Sequence, residues 1–152
     1  MECSLSEGAS RYLDTLYEEY ERFDVQQTTV GVSCEEFDAI AERPDGIAVR
    51  ARIRGEDGFL MRPDGNDWTL PGGILDADPD RETVAERLER WTGLRCRIEG
   101  LDRVSLVGLQ CEAATEELWT ISAVFSTTAT GGSPRGHAAW RNRKTPITVP
   151  SL

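Results

Sequence analysis

The stretch Trp68-Thr69-Leu70-Pro71-Gly72-Gly73 decides the fold, together with Thr92-Gly93-Leu94 about twenty residues later. Between them lies an acidic loop, followed by a segment from Asp80 to Trp91 that predicts a helix. Its apolar residues recur at spacings of three and four and so form one stripe, made of Val84, Leu88 and Trp91. Gly93 is the residue type that commonly ends a helix. The sequence therefore predicts a short strand, a glycine turn, a loop, a helix and a second glycine turn.

The segment before this stretch predicts a β-hairpin. Apolar residues alternate with arginines from Val49 to Arg54, which predicts a strand whose one face carries Arg50, Arg52 and Arg54. A turn follows at 55–58, and residues 59–62 form the returning strand.

The N-terminal part predicts two helices with a strand between them. The first helix has one apolar face, begins at a cap provided by Ser6 or Ser10, and carries Ala9, Leu13, Leu16, Tyr17, Tyr20 and Phe23 on that face. Residues 26–32 are polar and then β-branched, which indicates a short strand. Ser33 and Glu36 have the spacing of a capping box and start a short helix that stops before a turn at 44–46.

The C-terminal part predicts two further strands, 104–109 and 118–126, separated by a polar loop at 112–117. Residues 127–136 are rich in Gly and Thr and predict a mobile loop, and Trp140 is an isolated apolar residue after it. Strands that alternate with few helices indicate an α+β domain with a mixed sheet. A chain of 152 residues suits one domain.

These features together resemble the Nudix hydrolase family. The hairpin, the Trp68–Gly73 stretch, the helix and Thr92-Gly93-Leu94 occur in the family's order, and the resemblance covers roughly Ile47 to Trp140. It divides the single domain, 1–152, into an N-terminal helical extension at 1–45 and a Nudix core at 46–145. Residues 72–94 correspond to the Nudix box.

The resemblance implies a Nudix-type α/β/α sandwich with a mixed β-sheet, here extended by an N-terminal amphipathic helix. The family activity that it implies is hydrolysis of a nucleoside diphosphate linked to another group. In that reaction glutamates of the box helix hold Mg²⁺ or Mn²⁺, and the metal activates a water.

The box of this chain departs from the family pattern at the residues that hold the metal. Aligned backward from Thr92-Gly93-Leu94, the family arginine position holds Glu86, and the three glutamate positions hold Arg87, Arg90 and Trp91. The apolar position is kept as Leu88. Upstream, either Gly72 is the box glycine and Asp78 takes the first glutamate position, or Gly73 is the box glycine and Pro79 lies there.

Other acids are candidates for the lost role. Glu82, Glu86 and Glu89 share one helix face and are the fallback catalytic or metal-binding residues of the helix. At about 100° per residue, that face lies on the other side of Leu88 from positions 87, 90 and 91, so a solvated acidic face is the alternative. In the loop, Asp76 and Asp78 could hold a cation; surface acidity, with Asp80 capping the helix, is the competing interpretation.

Arginines form the second candidate site. Arg50 and Arg52 on the strand, with Arg87 and Arg90 on the helix, predict an anionic ligand, since guanidinium groups bind phosphate in a bidentate manner. Gly72 and Gly73 join this set of ligand-binding residues by resemblance. The alternative is that each arginine pairs with one of 27 acidic residues. Trp91 is either a core aromatic or a ligand-stacking one.

Composition limits the function classes. A net charge of −10 makes general nucleic-acid binding unexpected, and the sequence has no apolar run of the roughly 20 residues that span a bilayer. No signal peptide is visible, which predicts a cytoplasmic protein. One lysine against 16 arginines, with this acidity, is typical of a halophilic archaeon; a GC-rich genome would explain the missing lysines but not the acidity. The four scattered cysteines and the single His137 offer no zinc pattern.

Three functions follow from the sequence. The first is a divergent Nudix hydrolase with weak or lost hydrolysis, which uses Mg²⁺ or Mn²⁺ if it is active and no cofactor if it is not. The second is a non-catalytic module that binds a small phosphorylated ligand, a nucleoside diphosphate derivative. The third is a protein-interaction scaffold. The first helix could cover one face of the sheet or leave an apolar surface for a homodimer partner.

Overall fold

The computed structural model describes residues 5–43, 45–56, 58–64, 67–76, 79–136 and 138–141. The helices and strands of these residues follow the order α1 (Glu7–Glu19), β1 (Asp24–Gly31), α2 (Cys34–Ala41), β2 (Ile47–Gly55), β3 (Gly58–Asp64), β4 (Asp67–Thr69), β5 (Gly72–Leu75), α3 (Arg81–Thr92), β6 (Leu94–Gln110), β7 (Leu118–Gly132) and β8 (Ala139–Arg141). None of the described helices is long and apolar enough to cross a membrane.

The strands form one mixed sheet in the order β1-β6-β7-β2-β3-β4. Strand β1 pairs with β6 and strand β2 pairs with β7 in parallel, whereas the other pairings are antiparallel. Two strands lie off this path, since β5 pairs with β2 and β8 pairs with β3. The predicted α+β class with a mixed sheet is confirmed.

The helix caps follow from local side-chain chemistry. The hydroxyl of Ser6 accepts a hydrogen bond from the backbone N–H of Ala9 at 3.1 Å, and that of Ser33 accepts one from the N–H of Glu36 at 3.1 Å. Both bonds satisfy donors that a helix start leaves without partners. The first helix ends earlier than predicted, at Glu19, and Tyr17 was wrongly predicted to be buried. Its side chain is 57% exposed and contacts only the ring of Phe23 among the described aromatic rings.

The hydrophobic core lies on one face of the sheet. Neighbouring residues of β2 and β7 point into it in register, as Val49 does beside Ala123 and Ala51 beside Phe125. Tyr20, at the end of α1, contacts Phe125 with ring centroids 6.0 Å apart. The core residues of α3, with Leu88 fully buried among them, belong to the same cluster. Helices α1 and α3 therefore cover the same face of the sheet.

The two long strands β6 and β7 correct the sequence-based boundaries. Strand β6 begins at Leu94, directly after the helix-ending Gly93, and β7 continues to Gly132. The prediction of a mobile loop at 127–136 is therefore wrong for its first part, 127–132, which pairs with the start of β6. Threonine is a residue type that suits a strand. The pairing partner of residues 127–132 is the start of β6, which is longer than the sequence predicted.

Strand β5 was not predicted, because its glycines indicated a turn. Gly72 and Gly73 instead pair with Arg50 and Val49 of β2. A side chain at Gly72 would meet the Val49 carbonyl oxygen, so the close approach of the two backbones requires glycine. Trp140 is likewise part of a strand, since it pairs with Leu60.

Candidate functional site

Helix α3 is fixed at both ends by capping interactions. Its N-cap is Asp80, whose carboxylate accepts the backbone N–H of Thr83 at 2.7 Å, and this hydrogen bond lowers the pKa of Asp80. At the other end Gly93 has a left-handed backbone with φ of 82°, and the hydroxyl of Thr92 donates to the Leu88 carbonyl at 2.6 Å. The same hydroxyl accepts the N–H of Leu94 at 3.1 Å. The helix predicted from the sequence is confirmed, with both caps.

Helix α3 has a buried stripe and two exposed flanks of different charge, which adjoin on the solvent side because Glu86 and Arg90 are four residues apart. Val84, Leu88 and Thr92 form the stripe. The acidic flank is exposed and consists of Glu82, Glu86 and Glu89. The other flank holds the exposed Arg87 and Arg90 and the half-buried Trp91, and we call it the substituted flank because the family resemblance predicts glutamates at these positions.

The indole ring of Trp91 packs against Gly73 of β5. A Cβ atom built on Gly73 would lie 2.7 Å from Cζ2 of the indole, so the ring occupies the space above the glycine. Because Gly73 pairs with Val49, this contact is on the core face of the sheet. The same ring lines a cavity, described below, and therefore combines the core and cavity roles that the sequence left open.

The side chains of the substituted flank do not fit a divalent cation. Mg²⁺ and Mn²⁺ prefer oxygen ligands, and the substituted flank offers guanidinium and indole groups. Asp76, a fallback ligand, is instead held by Arg43, whose Nη2 and Nε lie 2.7 Å and 3.1 Å from its Oδ1. Among the described residues no three His, Cys, Asp or Glu side chains come together. Asp78 lies outside the described residues.

The acidic flank is exposed, and its Glu89 lies near β6. Glu89 acts electrostatically on Cys96 of β6, where burial raises the pKa of the thiol to about 11 and the carboxylate adds to the increase. Glu82 and Glu86 are exposed. Among the described ion pairs none joins a fallback glutamate to Arg87 or Arg90, although Glu86 and Arg90 are one helical turn apart.

A cavity of 270 Å³ lies between the start of β5, the end of α3 and the segment before β8. It is lined by Arg62, Pro63, Pro71, Gly72, Trp91, Thr92, Arg135 and Ala138. We call it the indole cavity. The backbone N–H of Arg135 donates to the Thr92 carbonyl at 2.8 Å, which holds this loop against the helix. Neither Arg62 nor Arg135 forms an ion pair with any side chain that the structure describes.

A second cavity of 270 Å³ lies on the other side of the substituted flank. It is lined by Arg43, Ile74, Leu75, Asp76, Pro79, Thr83 and Arg87. Arg87 thus faces the end of β5 and the residue after it. The ion pair of Arg43 with Asp76 already neutralises the acid of this cavity, so the positive charge of Arg87 has no described carboxylate within ion-pair distance.

The strand arginines lie on the sheet face opposite α3. Arg52 binds the carboxylate of Asp102 at 3.0 Å, and Arg54 acts electrostatically on Glu99. Hydrogen bonds from Thr128 and then Arg97 are the main causes that lower the pKa of Glu99. The structure therefore does not bring Arg52 together with Arg87 and Arg90. Arg50 is 5% exposed and its guanidinium lies against Gly72, and it is not among the residues that line the indole cavity.

Sequence reasoning missed Arg62, Arg135 and Arg141. Arg62 lies in β3, and Arg135 follows β7 in a stretch interpreted as loop. Arg141 in β8 places its guanidinium 4.0 Å from the ring centroid of Trp68, which is a cation–π contact. No local sequence pattern marks these residues. The pairing of β3 with β4 and β8 brings Arg62 and Arg141 onto neighbouring strands, although they are far apart in the sequence.

The sequence matches no family model and no curated protein. Similar solved structures include a proposed oxidoreductase from Sinorhizobium meliloti 1021, at 18% identity and a TM-score of 0.51, over 76% of this chain and 37% of that one. An ADP-ribose pyrophosphatase from Streptococcus suis 89-1591 is 17% identical with a TM-score of 0.41, over 67% of this chain and 69% of its own. A UDP-X diphosphatase is 18% identical with a TM-score of 0.43, over 67% and 53%. The first likeness concerns the fold alone, and this chain spans little more than a third of that protein; the other two support no further conclusion.

Proposed function

We propose that this protein is a Nudix-type domain that binds a small phosphorylated ligand, a nucleoside diphosphate derivative, at the indole cavity, and that its pyrophosphate hydrolysis is weak or lost. One observation carries the proposal. Where the family pattern calls for metal-binding glutamates, α3 presents Arg87, Arg90 and Trp91, and Trp91 lines a cavity with two further arginines.

The cavity has the chemistry for two parts of such a ligand. Guanidinium groups of Arg62 and Arg135 match the oxygens of a phosphate, and the indole of Trp91 offers an aromatic surface for a base or an apolar surface for a sugar. Its 270 Å³ is slightly below the roughly 300–1,000 Å³ of pockets that enclose a drug-sized molecule. We therefore expect the cavity to hold one part of the ligand while the rest lies outside.

Hydrolysis would need a group that this flank lacks. An arginine can neutralise a phosphate, but unlike a divalent cation it does not generate a hydroxide from a bound water at neutral pH. The chain's own residues can thus bind and orient a diphosphate here. The exposed glutamates of α3 do not line the indole cavity.

The binding proposal is tested by thermal unfolding of the full chain with ADP, UDP, ADP-ribose and inorganic pyrophosphate, each with and without Mn²⁺. We expect at least one of these ligands to raise the melting temperature in a saturable way without phosphate release, since a ligand at a hundred times its Kd stabilises by about 2.7 kcal/mol. Arg135→Gln and Arg62→Gln should each remove most of the shift. Arg95→Gln, an exposed arginine outside the cavity, is the matched control.

Two outcomes would contradict the proposal. Metal-dependent turnover that disappears in Glu86→Gln or Glu89→Gln would make the protein a hydrolase with non-standard ligands. The absence of any ligand-induced shift would leave the scaffold interpretation, and the homodimer prediction could then be examined by sedimentation.

We also infer from the charge of −10 and the ratio of 16 arginines to one lysine that the protein is adapted to concentrated salt, as expected for a halophilic source. Screening of the acidic surface supports this inference, because the Debye length falls to about 3 Å at 1 M salt. The free energy of unfolding should rise steadily with KCl concentration. A value that is independent of salt would contradict the inference. The cytoplasmic location stays a prediction.

A further inference from the structure

Two cysteines from distant parts of the sequence lie in contact beyond the ends of β1 and β6. Cys34 is the first residue of α2, and Cys111 follows the last residue of β6. Their sulfur atoms are 2.8 Å apart, although the residues are 77 positions apart in the sequence. The backbone N–H of Val32 donates to the Gln110 carbonyl at 2.8 Å, which holds the two segments side by side.

A cavity gives access to one of the two thiols. It measures 540 Å³ and is lined by Gly31, Val32, Gln110, Cys111, Glu112, Ala114, Thr115, Glu116 and Glu117. Cys111 therefore lies on a wall that a small molecule can reach, whereas Cys34 is not part of that wall. Three glutamates on the same wall make the cavity acidic.

We propose that Cys34 and Cys111 are a redox-active dithiol that forms a reversible intramolecular disulfide with a small, neutral or cationic disulfide as the oxidant. The approach of the two sulfur atoms supports it, because a disulfide bond of about 2.05 Å needs only a small side-chain movement from this contact. The acidic cavity wall favours a cationic oxidant such as cystamine over an anionic one such as glutathione disulfide. The proposal is independent of the ligand that the indole cavity binds.

The reaction proceeds in two exchange steps. The Cys111 thiol loses its proton to solvent, and the thiolate attacks one sulfur of cystamine, which forms a mixed disulfide and releases one cysteamine thiolate. Cys34 then loses its proton, attacks the Cys111 sulfur and releases the second cysteamine. Two electrons pass from the cysteine pair to the oxidant. In the reduced protein the hydrogen bond to Cys111 raises the pKa of Cys34, which favours Cys111 as the first nucleophile.

The new bond would tether the start of α2 to the end of β6 and close a long chain segment in the unfolded state. Loop-closure entropy then raises the melting temperature, by roughly 5–15 °C for a loop of this length in a domain of this size. Strand β1, whose residues are mostly exposed, would be held to β6 at its end as well as along its backbone.

The experiment oxidises the fully reduced full-length chain with cystamine and counts thiols in denaturant. The chain has four cysteines, so we expect two thiols to remain, a Cys34–Cys111 cross-link in the peptide map, and recovery of all four with dithiothreitol. Cystamine should react several-fold faster than glutathione disulfide at low salt, and this difference should shrink in high salt. Cys34→Ser and Cys111→Ser should each abolish the cross-link and the rise in melting temperature.

Cys96→Ser is the matched control, since Cys96 is a half-buried thiol without a cysteine neighbour among the described residues, and the cross-link should form in it as in the wild type. Four remaining thiols, a cross-link through Cys96 or Cys3, or a species of twice the mass would overturn the proposal. A cross-link that leaves the melting temperature unchanged would overturn the tethering role. If the serine variants do not fold, the peptide map of the wild type decides.

Discussion

The two flanks of α3 differ in what they face, although they belong to one helix. The acidic flank, with Glu86 as its centre, faces solvent and β6, whereas the substituted flank ends in Trp91, which packs on Gly73 and borders the indole cavity. The stripe around Leu88, on the other side of the helix, is fully buried. A few apolar residues thus hold the helix in place while its two exposed flanks carry opposite charges.

This difference separates the residues that set the shape from the residues that set the chemistry. Leu88, the N-cap Asp80 and the helix-ending Gly93 keep α3 in place, and each has a physical role that does not depend on a ligand. Arg87 and Arg90 are exposed, so the identity of the side chain at these positions has little effect on folding. The comparison between stripe and flanks therefore makes quantitative predictions about stability.

The largest change in the free energy of unfolding is expected for a substitution in the buried stripe. Leu88→Ala removes a side chain that is 0% exposed, and we expect it to lower the free energy of unfolding by about 2–5 kcal/mol through lost burial and a cavity. Urea denaturation measures it. Glu86→Ala, on the exposed acidic flank two residues earlier, is the matched control and should stay within about 0.5 kcal/mol of the wild type. Equal effects of both would refute the distinction between stripe and flank.

A smaller effect is expected at the end of the helix. Gly93→Ala forces a side chain into a backbone with φ of 82°, next to the Ser133 carbonyl and the Arg135 side chain. We expect a loss of about 1–3 kcal/mol in urea denaturation. Gly100→Ala is the control, since a Cβ there meets no heavy atom within 4 Å. A tolerated Gly93→Ala would mean that the helix end is not constrained.

The N-cap makes a contribution that depends on pH. Because the folded-state pKa of Asp80 is lowered, its contribution is fully present above the ordinary aspartate pKa of about 3.9 and is lost as the pH falls through the folded-state value. Asp80→Asn keeps a capping acceptor without the charge. Its melting temperature should therefore fall less than that of the wild type as the pH decreases from roughly 5 to 3, a range that spans the aspartate titration. Parallel curves for the two proteins would contradict this account.

The smallest effect is expected on the flanks themselves. Arg87→Gln and Glu82→Gln replace exposed side chains, and each should change the free energy of unfolding by less than about 0.5 kcal/mol. A loss of more than 1 kcal/mol in Arg87→Gln alone would show that the substituted flank also supports the fold. Urea denaturation at one salt concentration compares the two variants directly.

Local chemistry made much of the fold predictable. Ser33, Asp80 and Gly93 were identified as helix boundaries because capping depends on neighbours within a few residues, and the structure has all three in those roles. The alternation of apolar residues with arginines likewise located β2. These features need no information from distant parts of the chain.

Features that depend on distant partners could not be predicted. The strand at Gly72–Leu75 exists because β2 lies beside it, and 127–132 are extended because the start of β6 runs alongside. The indole cavity joins Arg62 and Arg135, which are far apart in sequence and have no shared pattern. The same limit applies to Cys34 and Cys111, which the sequence shows only as scattered thiols.

The two parallel pairings of the sheet determine the order in which the protein can assemble. Asp24 of β1 pairs with Arg103, and Ile47 of β2 pairs with Ile121, so the ribosome must release most of the chain before either pairing can begin. Strand β2 can first form a local hairpin with β3, but β1 pairs with no described strand other than β6. During synthesis β1 and α2 would therefore be the last elements of the N-terminal part to join, and a nascent chain stalled before β6 would leave them accessible to proteases.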